Sequence, residues 1–97
     1  MDDGRKKALR QKQDDFRTGI IVINIYPRLH QDAGGFLDDV ELDRVDTSKE
    51  GNVAQVDELF KILFTKTNED FDCFCAIVEK VNPTRANNLR EAAELGK

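Results

Sequence analysis

Four carboxylates, Asp39, Glu41, Asp43 and Glu50, fall at positions 1, 3, 5 and 12 of the spacing by which a loop between two helices wraps calcium. Such a loop brings oxygen ligands to one point, but it turns on a glycine at position 6, where this chain has Arg44. Position 8, normally apolar, is Asp46. A calcium-binding helical protein is therefore kept only as a lesser alternative. Cys73 and Cys75 are the other reactive pair. On a helix, two residues turn the chain by about 200°, so the two thiols face opposite ways. Cys75 then belongs with Phe71, Phe74 and Val78 in a core, and Cys73 lies outside it. A zinc site needs four ligands, and His30 is the only histidine, here read as a partly exposed helix residue. No base or oxyanion-stabilising group can be assigned to either thiol. The reading is no metal, no cofactor, no catalytic residue and no enzyme.

The elements that hold these residues are bounded first by size. With 97 residues the chain has room for one hydrophobic core, and a chain this short needs nearly every large apolar residue inside it. At 39% hydrophobic and 35% charged, it is too apolar for disorder and carries the charge of a solvated helical surface. The net charge of −4 argues against nucleic acid as partner, since a binder must neutralise phosphates. The longest apolar run, Ile20 to Ile23, is far short of a membrane span. Two cysteines one residue apart cannot staple a secreted scaffold, so reduced thiols and a cytosolic location are expected.

Apolar period and punctuation predict one all-α domain over 1–97 with six helices, at about 5–22, 27–33, 36–45, 48–65, 68–81 and 83–95. Leu9, Gln13, Phe16 and Ile20 give the first helix a narrow stripe interrupted by Gln13. The β-branched run from Ile20 to Tyr26 would be a strand on propensity alone, yet no second strand exists to pair with it. It is read as a helix end and buried bend, with Pro27 in the first turn of helix 2 and Gly34-Gly35 closing that helix. Phe36, Leu37, Val40 and Val45 mark a short third helix. Thr47 and Glu50 have capping-box spacing ahead of Val53, Val56, Phe60 and Leu63, with Leu59 and Phe64 widening that stripe. Thr67 and Asp70 repeat the spacing ahead of Phe71, Phe74, Cys75, Val78 and Val81. Asn82-Pro83 reads as a cap followed by proline at the first position of the last helix.

Laid out in this way, the chain resembles a caspase recruitment domain, a branch of the death-fold superfamily. The likeness spans nearly the whole sequence. It rests on the first helix through Phe16 to Ile20, on Gly35-Phe36-Leu37 before an acidic third helix, and on Leu59 to Lys66 followed by Phe71-Asp72-Cys73-Phe74. Where the family commonly has glycine after its Thr-Lys turn, this chain has Thr67, and Pro27 is unusual for the second helix. The resemblance implies a six-helix antiparallel Greek-key bundle, its first helix bent or broken. It also implies homotypic binding, to another such domain or to itself, in apoptotic, inflammatory or NF-κB signalling, with filament assembly as one outcome.

Charge is unevenly spread along the chain. From Arg5 to Arg17 six basic residues accompany Asp14 and Asp15, whereas from Asp32 to Glu58 nine acidic residues accompany only Arg44 and Lys49. Carried over from the family's acidic-to-basic contact, the acidic interaction face is Asp32, Asp38, Asp39, Glu41, Asp43 and Asp46. The basic face is Arg5, Lys6, Lys7, Arg10, Arg17, Lys49 and Lys61. Docking of an unrelated partner on a scaffold domain of the same fold is the alternative.

Overall fold

The computed structural model describes residues 1–20, 22–46 and 51–95, and among them the chain is all-helical. The helices are α1 (Asp3–Gly19), α2 (Val22–Leu29), α3 (Asp39–Asp46), α4 (Asn52–Leu63), α5 (Asn68–Glu79) and α6 (Pro83–Leu95), with a 3-10 turn at Gln31–Ala33. α1 packs against α4 and α6, α5 against α6 and α2, and α3 against α4.

Asp2 caps α1 by accepting the Arg5 amide at 2.8 Å. The helix ends at Gly19, earlier than expected, because Ile20 turns extended. Ile20 is the buried cap at the end of the first helix, but from Val22 onward the β-branched run forms the body of α2, in which Val22, Ile25 and Leu29 are buried at helical spacing. Its backbone needs no strand partner, since the helix supplies its own hydrogen bonds and Asn52 supplies the ends. The Asn52 side chain accepts the Val22 amide at 2.8 Å and donates to the carbonyls of Ile20 at 2.7 Å and Arg17 at 3.2 Å. One amide thus caps the end of α1 and the start of α2. Pro27 sits inside α2 rather than in a first turn; it is exposed, so the ring stays clear of the packed side.

Gly34 and Gly35 close the 3-10 turn rather than a longer second helix. Gly34 has φ 85°, the left-handed conformation glycine tolerates. A Cβ on Gly35 would lie 2.2 Å from the Leu29 carbonyl oxygen, and that same oxygen accepts the Phe36 and Leu37 amides, both at 2.9 Å. Phe36 and Leu37 are therefore folded back onto α2 ahead of α3 instead of starting it. The third helix begins at Asp39, where Asp38 and Glu41 form a reciprocal cap. Val40, expected inside, is 71% exposed.

The expected Thr47–Glu50 cap lies outside the described residues. α4 buries Val56, Leu59, Phe60, Ile62 and Leu63, while Val53 is exposed. The Thr67–Asp70 capping box is formed, and α5 buries Phe71, Phe74, Cys75, Ile77 and Val78, leaving Val81 outside. Asn82 accepts the Arg85 amide at 3.1 Å ahead of Pro83, and α6 buries Ala86, Leu89, Ala92 and Ala93. Short side chains there let α6 approach α1. Phe16, Phe60 and Phe74 meet at the centre with ring centroids 5.4 to 5.9 Å apart, in tilted and edge arrangements.

Candidate functional site

On α3, Asp39, Asp43 and Asp46 follow one another at spacings of four and three, so one face of the helix carries all three carboxylates. Each is exposed. Val40 stands beside them, and the capping Asp38 extends the row at its start. Asp32 lies in the 3-10 turn, its side chain 87% exposed. His30 joins the turn to α3: its Nε2 is 2.6 Å from Asp39 and its Nδ1 is 3.6 Å from Asp32. Tyr26 lies under the same face and its hydroxyl donates to the Leu42 carbonyl at 3.4 Å. Partial burial, then the negative charges of Asp46 and Asp43, push its phenol pKa up. Glu41 is different from its neighbours. Its carboxylate is drawn inward to Lys66 at 2.7 Å, so it serves the fold rather than the outer face.

The basic residues divide into two groups. Arg5 faces α5, where it pairs with Asp72 at 3.6 Å, lies over the Phe71 ring and also holds Asp2. It is held away from the others. Lys6, Arg10 and Arg17 recur at four and seven residues on the side of α1 that meets α4. Arg10 lies over Phe64, and Arg17 pairs with Asp57 at 2.7 Å and with Asp14. Lys61 follows Asp57 by one turn of α4 and precedes Phe64, so it is placed along the same seam. Lys7 is exposed near the start of α1, and Lys49 lies outside the described residues.

Sequence reasoning missed Asp57, the centre of this seam. Gln13 donates to it at 2.8 Å and Arg17 at 2.7 Å. The Arg17 bond, helped by Gln13, outweighs desolvation and holds the Asp57 carboxyl below its ordinary range. Gln13 was the available signal, because a polar residue within an apolar stripe must find a polar partner.

A helix over Asp39–Asp46 replaces the loop that the calcium spacing requires, and it turns Asp39 and Glu41 about 200° apart. No group of three metal-ligating side chains gathers among the described residues, and Glu50 lies outside them. Cys75 is buried and its thiol is pushed up to about 12 by that burial. Cys73 is partly exposed, and desolvation together with Asp70 raises its pKa as well. Both thiols stay protonated at neutral pH, the weaker form for nucleophilic attack. No described helix is long and apolar enough to cross a membrane. Comparison with known proteins finds no matching family model, no matching curated protein and no matching solved structure.

Proposed function

We propose that the chain is a caspase-recruitment-type interaction module of the death-fold class, working in the cytosol without catalysis or cofactor. The observation that carries this reading is the gathering of Asp39, Asp43 and Asp46 on one face of α3 and of Arg10, Arg17 and Lys61 along the α1–α4 seam. Both α1 and α3 pack on α4, but through different residues: Arg17 reaches Asp57 and Arg44 reaches Glu58. Adjacent residues on a helix point about 100° apart, so the two patches can be engaged at once. Opposite patches on one molecule join head to tail, and contacts of that kind either close a ring or extend as an open helix. Six helices, with α1 and α6 packed together and α2 packed on α5, suit the antiparallel Greek-key order of that class.

The partner is another domain of the same class or a second copy, in apoptotic, inflammatory or NF-κB-type signalling. A second reading has its own support: Asp57 and Asp14 offset Arg17, and Arg5 is turned to α5. That thins the basic half and favours use of the acidic face alone, against a basic partner.

Two double variants test the proposal, Asp43→Lys with Asp46→Lys and Arg10→Glu with Lys61→Glu. Each alone is expected to stop self-association in light scattering, and a mixture of the two is expected to form a one-to-one pair, since each keeps one intact patch. A wild-type chain that stays monomeric at low salt and at every concentration tested removes the homotypic reading. Capture of a basic partner that is lost in the acidic-face variant, without self-association, would select the second.

A further inference from the structure

Arg28 differs from every other arginine among the described residues. Arg5, Arg17, Arg44, Arg85 and Arg90 each hold at least one carboxylate, and Arg10 lies over a ring. Among the described residues Arg28 has neither kind of partner. It is exposed in the last turn of α2 and borders a cleft of about 210 Å³ between that helix with its 3-10 turn and α5. Lys80, which follows α5 directly, lines the same cleft and also has no ion pair among the described residues. Two carboxylates near these residues in sequence are held elsewhere, Glu79 by Arg90 at 3.1 Å and Asp70 in the cap of α5, while the exposed Asp32 lies beside His30 at 3.6 Å. Ala33, Gly34 and Ala76 form much of the wall, and their small size is what leaves the space open.

We propose that this cleft binds a phosphomonoester through Arg28 and Lys80. The guanidinium fork can take two phosphate oxygens side by side, and the ammonium acts as a second point charge, so two cations meet a dianion. Space beyond a bare phosphate admits the first carbons of the ester against the alanines. The Cys73 thiol at the rim donates to the Gly34 carbonyl at 3.2 Å and brings no negative charge against the ligand. Two exposed cations without buried donors point to a dissociation constant in the millimolar range, about 1 mM.

Two sources supply this chemistry, a free small ester and a phosphorylated side chain, and a titration followed by amide NMR separates them. The probes are glycerol 2-phosphate and a short phosphoserine peptide, with glycerol, the unphosphorylated peptide and sodium chloride at matched ionic strength as controls. Saturable shifts confined to residues around 28, 33–34, 76 and 80, with either phosphorylated probe and not with the controls, are the expected result. Tighter binding of the peptide assigns a protein source, and equal binding assigns the small ester. Arg28→Ala with Lys80→Ala should weaken binding at least about tenfold, while Arg28→Lys keeps part of it. Thermal melts of these variants should match the wild type, because neither side chain is tied to the fold. The proposal is overturned if no saturable shift is seen with either phosphorylated probe, or if the shifts survive the double substitution.

Discussion

Asn52 shows how much of this fold rests on one side chain. Its amide makes three hydrogen bonds to the backbone where α1 stops and α2 starts, and α2 in turn carries Val22, Ile25 and Leu29 into the core. Removing it leaves a helix donor and two carbonyls without their partner. Asn52→Ala is expected to cost about 2–3 kcal/mol in denaturant unfolding, well above the usual surface substitution. Asp57 gives a pH signature. Its folded pKa lies below the ordinary aspartate value, so its contribution to stability is complete above about pH 4 and is lost as pH falls through the lower folded value. The wild type should exceed Asp57→Asn by up to about 1 kcal/mol at neutral pH, discounted because the side chain is 39% exposed. That margin should close on acidification, as urea midpoints at a series of pH values will measure.

Among the elements, the segment between α2 and α3 departs furthest from its local sequence signal. Its two glycines have the pattern of a helix end, and their role is instead to let the chain double back so that Phe36 and Leu37 dock on Leu29. Gly35→Ala puts a methyl group against backbone that cannot retreat without breaking the two hydrogen bonds to the Leu29 oxygen. A loss of about 2 kcal/mol or more is expected by thermal or chemical melting. Gly34→Ala meets no atom there and should cost about 1 kcal/mol, for the positive φ alone. The order of these two variants checks that close approach, and not turn conformation, is the stricter demand.

At the scale of the molecule, the Cα radius of gyration of 12.1 Å is close to the roughly 12.5 Å expected of a compact chain this long. The described interior is apolar, which leaves charge to the outside. If the proposed contact joins the α3 carboxylates to the α1–α4 seam, its strength depends on screening. The Debye length falls from about 10 Å at 0.1 M salt to about 3 Å at 1 M. Self-association in light scattering should therefore weaken at least about tenfold between those concentrations, mainly through slower encounter. Association that strengthens with salt would instead mark an apolar contact around Val40, Val53 or Val81.

Helix periodicity made the all-helical class legible, and α5 and α6 were legible down to the caps at Thr67 and Asn82, because their signals lie within one or two turns of chain; α4 was legible by its buried stripe but not by its start, which falls at Asn52. The same holds for the uneven charge, which any count along the chain exposes. Which charges remain outside was not legible. Arg5, Arg17 and Glu41 are drawn to Asp72, Asp57 and Lys66, partners 25 to 67 residues away. Nor was the fate of the run from Val22 to Tyr26, whose local propensity favours a strand. Burial against the rest of the bundle and an amide from Asn52, 30 residues on, decide for helix there. Local pattern sets what each segment can be, and contacts between distant segments choose among those possibilities, since only the closed bundle brings their partners within reach.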